Sequence, residues 1–389
     1  MRSENNGRVC IFSTDHSQAN ERVFRRQATA LAENGYDVTF YTCRKNTDAT
    51  GHPDIDVCIP QFVERERFDQ LPTFFARVIF ALLLTITLIR EREYDVYHFH
   101  DAELLPFVAL FSRWSDAVFI YDVHDNAGNA IKEKTYLSPS ATQLASTVIS
   151  TVDSVCSRTV DGVICASADI AETFDHHSAV QVISNYPRRE VATRSYPAER
   201  EDESVNVVYG GLLTEKRGIL NLIAAVEDLP EEKMVTLQLY GWFRASEIEQ
   251  RVKRHELHSD RVEFCGYVPP EEILERYYHS DIGVVCHLPS AQNQCDGAHR
   301  SNKLFQYMAA GLPVIVPDLG NWPALVHEYE CGVAVNPTDV DELSAAIDDL
   351  VENDEKRTRL GANAREAVCT RFNWETEEEK LIAFYESLS

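Results

Sequence analysis

Basic residues are scarce in this sequence. Its 389 residues include 37 lysines and arginines against 62 aspartates and glutamates, which gives a formal net charge of −25. Neutralising nucleic-acid phosphates requires clustered lysine and arginine, so this composition excludes general nucleic-acid binding. The acidic residues are scattered and arginine outnumbers lysine, which indicates a halophilic protein adapted to high salt; an ordinary acidic cytosolic enzyme is the alternative.

Cysteine pairs with metal-binding or disulfide spacing are also missing. The ten cysteines stand singly, several of them inside apolar runs such as 163–165 and 284–286, and no CxxC pair occurs. This pattern argues against a zinc site and a disulfide framework, and it favours reduced cysteines in a cytoplasmic protein. Residues 1–6 are polar and lead directly into a predicted strand, so no signal peptide is expected.

The chain has one continuous apolar run that bears on membranes. Val78–Ile89 is apolar apart from Thr85 and Thr87, and it is shorter than the roughly 20 residues that a membrane-spanning helix needs. A helix buried against a sheet is the simpler interpretation. A peripheral membrane-docking surface is the alternative.

Several widespread catalytic and nucleotide-binding motifs are absent. The sequence contains no GxxxxGK[ST] phosphate loop, no GxGxxG turn after the first strand, no GxSxG elbow and no HExxH helix. His98 and His100 alternate along one predicted strand, but the sequence shows no third ligand, so a metal is not expected there. We therefore expect no bound metal and no other cofactor.

Short apolar runs alternate with amphipathic stretches along almost the whole chain. This alternation is typical of βαβ units, and strands without internal polarity alternation are buried on both faces. A charged, proline-containing break from Asn185 to Ser204 predicts a linker. Ligands of such sheets bind beyond the carboxyl ends of the strands, so a site is expected in a cleft between two facing domains.

The sequence therefore predicts an α/β protein made of two Rossmann-like doubly wound domains. Its predicted parts are an N-terminal domain at 1–190, a linker at 191–204, a C-terminal domain at 205–372, and a C-terminal helix at 373–389 that packs back on the N-terminal domain.

The segment from Ser301 to Gly311 is the strongest candidate for binding an anion. Ser301 suits the N-cap position, the following apolar residues recur at helical spacing, and Gly311 is a typical helix end. A helix N-terminus offers free N–H groups and the positive end of the helix dipole, and Lys303 adds charge in the first turn. The pattern predicts an anion site at this helix start.

Several segments in a fixed order carry a resemblance to a known family. In the second half these are YGGLLTEKRGILNLIAAV, FCGYVPPEEILERYYHSDIGVV, SNKLFQYMAAGLPVIVPD and CGVAVNPTDVDELSAAI. In the first half they are VFRRQATALAENGYDVTFYT, YDVYHFHDAELLP, YDVHD and VISNYP. Together they resemble the family 4 glycosyltransferases (glycosyl transferases group 1), which have the GT-B fold, and the acidic composition suggests a haloarchaeal member.

The resemblance implies where the diphosphate of a nucleotide sugar is gripped. In the family a basic pair does so, and the match falls on Lys303 and on either Lys216 or Arg217, because the turn after Gly211 is one residue longer than in the family. A diphosphate leaving group gains charge as the glycosidic bond breaks, so it needs fixed positive groups.

Two glutamates of the family pattern are replaced in this chain. Gln306 stands where a glutamate contacts the ribose, and Ala298 where a glutamate contacts the transferred sugar. Gln306 can still bond a ribose hydroxyl, whereas Ala298 cannot replace a carboxylate, so either Asp296 takes over or the sugar is held differently. The donor-binding residues implied are Gly211, Ser301, Asn302, Lys303, Gln306 and Asp296.

His124 matches a family histidine at the end of an N-domain strand, over the donor sugar. A histidine there can donate a hydrogen bond where charge develops, so His124 joins Lys216 and Arg217 as a catalytic candidate. The acceptor-side candidates are Asp101, Asp125 and Asp15, the last in a loop where relatives have a glycine-rich turn. His98 and His100 are weaker candidates.

The resemblance implies a retaining glycosyltransferase. It would move a sugar from a nucleotide-diphosphate sugar to an acceptor hydroxyl on a glycan or lipid-linked molecule, in glycan, polysaccharide or glycolipid assembly, without a bound divalent ion. Its expected place is the cytoplasm, with peripheral contact at the inner face of the membrane. The alternatives are a nucleotide-sugar epimerase on the same fold and a non-catalytic partner protein, the latter favoured by Ala298 and Gln306.

Overall fold

The computed structural model describes two compact units, which are treated separately below. Unit 1 comprises Met1–Asn185 and Glu377–Ser389, and unit 2 comprises Tyr186–Thr376. The described residues are 6–43, 51–64, 73–91, 93–125, 128, 138–194, 204–256, 259–290 and 297–388.

Unit 1 is built on a seven-stranded parallel sheet. Its strands are β1 (Arg8–Ser13), β2 (Asp37–Thr42), β3 (Ile55–Cys58), β4 (Val96–Phe99), β5 (Val118–Val123), β6 (Gly162–Cys165) and β7 (Val180–Val182), in the order β3-β2-β1-β4-β5-β6-β7. In register, Ile11 of β1 lies beside His98 of β4, and His98 lies beside Ile120 of β5. The strand order reverses between β1 and β4, so the carboxyl ends of these strands flank a topological switch point.

Helices cover both faces of this sheet. They are a π-helix (Glu21–Ala28) that continues as α1 (Thr29–Glu33), and then α2 (Thr73–Glu91), α3 (Leu105–Phe111), α4 (Pro139–Cys156) and α5 (Ala168–Ala171). The π-helix starts where the side chain of Asn20 accepts a hydrogen bond from the Val23 N–H. The apolar run in α2 is only partly buried, because Leu84 and Leu88 face the core while Leu82 and Ile86 are exposed.

Unit 2 repeats the architecture with a six-stranded parallel sheet. Its strands are β8 (Val205–Leu213), β9 (Val235–Phe243), β10 (Val262–Gly266), β11 (Ile282–Val284), β12 (Val314–Pro317) and β13 (Gly332–Val335), in the order β10-β9-β8-β11-β12-β13. The switch point lies between β8 and β11. The prediction of two doubly wound α/β domains is confirmed.

The helices of unit 2 complete its two outer layers. They are α6 (Arg189–Thr193), α7 (Ile219–Glu227), α8 (Ser246–Glu256), α9 (Pro270–Tyr278), α10 (Asn302–Ala310), α11 (Trp322–Glu328), α12 (Val340–Glu352) and α13 (Asp354–Thr370). The last helix, α14 (Trp374–Leu388), starts in unit 2 and belongs to unit 1 from Glu377 onward. None of the helices in the described part of the chain is long and apolar enough to cross a membrane.

The division between the units differs from the predicted boundaries. Unit 2 begins at Tyr186, whose ring packs against Phe305 and Phe372 at centroid distances of 4.6 and 5.3 Å and whose hydroxyl lies 2.8 Å from His299 Nδ1. Part of the predicted linker, residues 191–194, is therefore packed in unit 2, while 195–203 lie outside the described residues. Prolines and charged residues indicate a polar segment of the chain. The boundary between the units is instead set by the aromatic contacts of Tyr186.

The C-terminal segment of unit 1 joins its core through two buried contacts. The Ser184 N–H donates to Glu377 Oε2 at 2.7 Å, and the Tyr385 hydroxyl lies 2.7 Å from His98 Nδ1. Residues 377–388 thereby pack on unit 1, beside the strand that carries His98.

Candidate active site

Glycines let three elements approach closely at the carboxyl end of β8. The Gly210 N–H donates to the Tyr307 hydroxyl on α10 at 2.8 Å. Gly211 has φ +122°, and a Cβ added there would lie 3.4 Å from Lys303 Nζ. A Cβ at Gly241, on the neighbouring strand, would come within 1.8 Å of the Gly211 oxygen. Only glycine fits this crossing, so the strand end lies directly against the first turn of α10.

Lys303 is a buried cation without an anionic partner. The residue is only 8% exposed, and its Nζ makes no hydrogen bond to any described group. The ammonium lies 3.7 Å from the centroid of the Tyr209 ring, a cation–π contact that compensates part of the lost hydration. Burial lowers the pKa of Lys303 well below its usual range, and the charge of Arg217 lowers it further. An anion bound here would supply the missing partner.

The structure separates the two predicted alternatives for the second cation. Arg217 ends a 3-10 turn at Glu215–Arg217, and its Nη1 lies 3.0 Å from His287 Nε2. Its charge acts on Lys303, so the two cations share one site. The side chain of Lys216 is exposed, and its carbonyl accepts a hydrogen bond from Leu288 N–H at 2.9 Å. Arg217 is therefore the better-placed partner of Lys303.

The N-cap residue of α10 makes no side-chain capping bond. Ser301 occupies the N-cap position with φ −89° and ψ 93°, as predicted, but its side chain makes no capping hydrogen bond. Its hydroxyl is buried and has no partner among the described residues. Ser301 thus stands at the predicted N-cap position without a side-chain capping bond. Those groups and the positive end of the helix dipole remain next to Lys303.

The remaining donor-side candidates lie along or just before α10. Asn302 is exposed in its first turn, and Gln306 is half-buried one turn further. Ala298 is fully buried, and its N–H donates to Asn321 Oδ1 at 3.1 Å, so its methyl group contributes only to the wall. Asp296 lies outside the described residues. Ala298 and Gln306 therefore leave this wall without a carboxylate at either family position.

A buried carboxylate, Asp122 of β5, is the centre of the site in unit 1. Its Oδ1 accepts a hydrogen bond from Arg22 Nη2 and its Oδ2 from Gln27 Nε2, each at 2.7 Å. Arg22 and Gln27 are five residues apart in the π-helix, whose i→i+5 hydrogen bonding brings residues of that spacing onto one face. Burial alone would raise the pKa of Asp122, but the nearby charge of Arg22 holds it well below its usual range.

Histidines surround Asp122. His100 Nδ1 lies 3.3 Å from Asp122 Oδ2 and 3.2 Å from His124 Nε2. His124 is half-buried, and its ring stacks on His16 at 4.7 Å between centroids. Its Nδ1 has no hydrogen bond to a described residue, so His124 turns Nε2 inward toward His100. Burial lowers the pKa of His98 and of His100, which favours their neutral forms.

His98, His100 and Asp122 also form the kind of group that can hold a metal. Their ligand atoms lie within 4.8 Å of one another, so the third ligand that the sequence did not show is present in the fold. Both oxygens of Asp122 already accept hydrogen bonds, however, and the Arg22 guanidinium lies beside it. These contacts favour a hydrogen-bonded network over a metal centre.

Asp101 and Asp15 are tied into one ionic cluster. Asp101 Oδ2 accepts hydrogen bonds from Ser13 Oγ at 2.6 Å and from the Thr14 N–H at 2.7 Å. Arg77 of α2 binds Asp101 at 3.2 Å and Asp15 at 3.0 Å, and it also pairs with Glu103. Asp101 therefore shapes the loop after β1, close to His16, whose Nε2 is 4.0 Å from Asp101 Oδ1. Asp125, directly after His124, is exposed.

Sequence reasoning missed several members of these clusters. They are Gln27 and Asp122, together with His16, Arg77 and His287, while Arg22 had no signal beyond its position on the helix after the first loop. One signal was present: Asp122 is a charged residue inside a run that otherwise reads as a buried strand, and a buried charge needs a partner. The partners themselves lie about 100 residues earlier in the chain, where no local pattern marks them.

Two doubly wound parallel-sheet units are the architecture of the GT-B class of glycosyltransferases. A family model described as Glycosyltransferase Family 4 matches residues 21–186, and one described as Glycosyl transferases group 1 matches residues 193–367. The chain belongs to this family and is a GT4-like glycosyltransferase.

Curated relatives agree with this assignment. The chain is 31% identical to spore coat protein SA of Bacillus subtilis over 191 residues, which cover 46% of this chain and 48% of that protein. It is 26% identical to glycogen synthase of Mycobacterium tuberculosis over 381 residues, which cover 90% of this chain and 86% of the synthase. The chain thus spans about half the length of the first of these relatives and most of the second.

Solved structures show the same fold. Sucrose-phosphate synthase of Thermosynechococcus elongatus superimposes with a TM-score of 0.72 at 18% identity, covering 98% of both chains. Anabaena Alr3699/HepE in complex with UDP gives a TM-score of 0.71 at 16% identity, covering 98% of this chain and 100% of that one. Because the sequence identities are below 20%, the similarity to these two structures shows a shared fold only.

Proposed function

We propose that this glycosyltransferase moves a sugar, with retention at the anomeric carbon, from a nucleotide-diphosphate sugar to a hydroxyl of a glycan or lipid-linked acceptor. The observation that carries the donor class is Lys303, a buried ammonium with no hydrogen-bond partner among the described residues, in the first turn of a helix whose N-cap side chain makes no capping bond. HepE, which shares the fold, was solved with UDP and with UDP-glucose. A diphosphate is the anion that gives Lys303 its partner and gains charge during the reaction.

Unit 2 stabilises the leaving group in this proposal. Lys303 and Arg217 bind the two phosphates, the first turn of α10 adds backbone N–H groups, and Gln306 bonds a ribose hydroxyl. Burial makes these charges effective because little water screens them. The cations are fixed before the donor binds, so charge that develops on the diphosphate meets preorganised groups.

Retention follows a front-face course in this proposal. Ala298 offers no carboxylate nucleophile, so the acceptor hydroxyl attacks C1 from the side that the diphosphate leaves. The bond from C1 to the phosphate oxygen breaks, the bond from C1 to the acceptor oxygen forms, and the acceptor proton passes to the phosphate oxygen. Lys303 and Arg217 stabilise the diphosphate throughout.

Unit 1 contributes an oriented histidine. The His100 Nδ1–H donates a hydrogen bond to His124 Nε2, so the neutral tautomer of His124 carries its proton on Nδ1. That outward N–H donates a hydrogen bond to the donor sugar. Asp122, held by Arg22 and Gln27, fixes the position of His100. His100 and Asp122 are positioning residues here, and His124 is the group that meets substrate.

Turnover of labelled donors tests the proposal. The purified protein is incubated in high salt with a panel of nucleotide-diphosphate sugars, with and without glycan or lipid-linked acceptors, and with Lys303→Met as the matched control. We expect transfer with an acceptor, slow release of nucleotide without one, and both strongly reduced with the variant. Isomerised donor would instead identify the epimerase, and absence of both product and nucleotide binding would identify the non-catalytic partner protein.

We also propose that the protein is halophilic and cytoplasmic. The net charge of −25 is self-repelling in dilute buffer and screened at molar salt, where the Debye length is about 3 Å. Thermal melts from 0.1 to 3 M salt test this. A rising melting temperature is expected, and full stability at the lowest salt would contradict it.

A further inference from the structure

We propose that one helical layer of unit 1 is a docking surface for a lipid bilayer. Its apolar face is made of nine exposed side chains on α2, α3 with its following turn, and α4. They are Phe75, Leu82, Ile86, Leu110, Trp114, Leu144, Val148, Val152 and Val155. Among the described residues only four other large hydrophobic side chains are exposed. The concentration on three helices is what a binding surface shows and a monomeric soluble surface avoids.

These helices adjoin one another. The chain passes from β3 through α2 to β4, from β4 through α3 to β5, and from β5 through α4 to β6, so all three lie on the same side of consecutive parallel strands. Helix α3 packs against both α2 and α4. On α4, the exposed side chains of Leu144, Val148, Val152 and Val155 recur every three or four residues and therefore form one stripe.

The charge of this layer contrasts with the rest of the chain. Residues 73–91, 105–116 and 139–158 contain four arginines and three acidic residues, in a protein with a net charge of −25. No charged residue stands at 78–89, 105–112 or 139–152. By comparison, α12 of unit 2 carries five acidic residues in thirteen. In this acidic protein, a surface exposed only to solvent would be expected to carry many acidic residues, as α12 does.

Arginines mark the rim of the apolar face. Arg90, Arg113 and Arg158 are exposed at or just after the ends of α2, α3 and α4. Helices that return antiparallel to a parallel sheet end at one common edge, so these arginines lie along that edge, with Trp114 among them. Arginine suits lipid phosphates and tryptophan suits the headgroup boundary. This complementarity favours a bilayer with anionic headgroups over a second copy of this acidic chain.

Binding of a bilayer by this apolar face is independent of the proposed transfer reaction. A bilayer contact would bring the protein to lipid-linked acceptors, while donor chemistry with a water-soluble acceptor would not require it. The apolar face would lie in the plane of the interface, since none of the helices described spans a membrane.

Vesicle flotation in 2 M salt tests the surface. The probes are vesicles of neutral phosphatidylcholine alone and vesicles in which roughly a third of the lipid is anionic phosphatidylglycerol. The main variant is Leu110→Ser/Trp114→Ser/Val148→Ser. The variant removes three apolar side chains whose burial would drive binding, so we expect the partition coefficient to fall at least tenfold. The control, Ile59→Ser/Met234→Ser, removes two exposed apolar side chains elsewhere and should partition as the parent does.

A second variant, Arg113→Gln/Arg158→Gln, separates the headgroup contribution, and it is compared with the parent at the lowest salt concentration at which the parent stays folded, because 2 M salt screens charge. It should lose affinity for the anionic vesicles and retain affinity for the neutral ones. Unchanged flotation of the triple variant, or no flotation of the parent, would overturn the proposal. A parent dimer that the triple variant converts to monomer would overturn it too and assign the face to a second copy. Circular dichroism melts check folding, and transfer to a soluble acceptor should be unchanged in all variants.

Discussion

The two units bury opposite charges in opposite ways at the carboxyl ends of their sheets. In unit 1, Asp122 has a hydrogen-bond donor on each carboxylate oxygen, one of them the Arg22 guanidinium. In unit 2, Lys303 has an aromatic face and a second cation nearby, but no described anion. The difference teaches that the Asp122 carboxylate is paired within unit 1, whereas Lys303 lacks a described anion that, in our proposal, a ligand supplies.

The largest expected effect on stability comes from removing the carboxylate charge of Asp122. Asp122→Asn leaves Arg22 buried without a full countercharge, so we expect a loss of about 3–5 kcal/mol in the free energy of unfolding. Because the folded pKa of Asp122 is depressed, its contribution is present above the unfolded pKa of about 3.9 and is lost as pH falls below it. Denaturant titrations at several pH values measure both effects.

Asp116→Asn is the matched control for this substitution, since Asp116 is exposed just before β5. Its stability should change by no more than about 0.5 kcal/mol. Equal stability of the two variants would mean that Asp122 does not depend on Arg22 and Gln27 as described.

Lys303→Met should separate stability from activity. Removing a cation that stabilises a developing charge is expected to lower kcat/KM by about 10²–10³-fold. The free protein should become more stable, because an unpaired buried ammonium is replaced by an apolar side chain of similar length. A folded pKa below the unfolded one also means that parent stability rises as pH rises from the folded pKa toward about 10.4, and this rise should be reduced in the variant. A less stable Lys303→Met protein would contradict the comparison.

Nucleotide diphosphate should complete the unit 2 site. At a concentration of 100 times its Kd, a ligand that binds only the folded state stabilises it by about 2.7 kcal/mol. We expect a nucleoside diphosphate to raise the melting temperature of the parent and to raise it much less in Lys303→Met. Affinity should weaken as pH rises through the depressed pKa of free Lys303, because the neutral amine attracts the anion less. Calorimetric titration over pH, with the nucleoside as control ligand, measures this.

His100→Gln tests the orientation of His124 with a smaller expected effect. The variant keeps a hydrogen-bond donor but changes its geometry, so we expect kcat to fall about 10- to 100-fold with KM for the donor little changed. Nitrogen NMR of His124 should show the Nδ1–H tautomer in the parent and a mixture in the variant. A parent spectrum with the proton on Nε2 would refute the proposed role of His100.

The smallest effect distinguishes the two neighbouring cations of unit 2. Lys216→Ala removes an exposed side chain, and kcat/KM should change less than threefold. Arg217→Ala removes the charge beside Lys303, and the loss should approach that of Lys303→Met. Kinetics of both variants with the same donor provide the check, and a reversed order would assign the family's cation to Lys216.

Local signals predicted much of unit 2. The start and end of α10 were predicted at Ser301 and Gly311, because capping preference and helical spacing act within one turn. Residue periodicity also predicted the two doubly wound units, whereas the resemblance to the family narrowed the second cation to Lys216 or Arg217. They did not reveal that Ser301 makes no capping bond, since that depends on the backbone angle at a single residue.

The site in unit 1 was predicted less completely. His124, Asp101 and Asp15 were placed by resemblance or position, but Arg22, Gln27 and Asp122 meet only because a π-helix and a strand about 100 residues apart pack together. The sequence showed a metal-like pair, His98 and His100, without the carboxylate beside it. The boundary between the units was also misplaced by several residues, because Tyr186 is fixed by aromatic packing.

By itself the sequence determined the fold class, the succession of strands and helices and the cationic helix start, because these depend on residue periodicity and on interactions within one turn. The family followed from the resemblance of several motifs in a fixed order. Only the tertiary structure decided which charges are satisfied. Asp122 acquires its partners from residues far away in the sequence. Lys303 is buried against Tyr209 and Gly211 with no anionic partner among the described residues. The reason is that burial strengthens every electrostatic interaction, and burial is set by packing between distant segments.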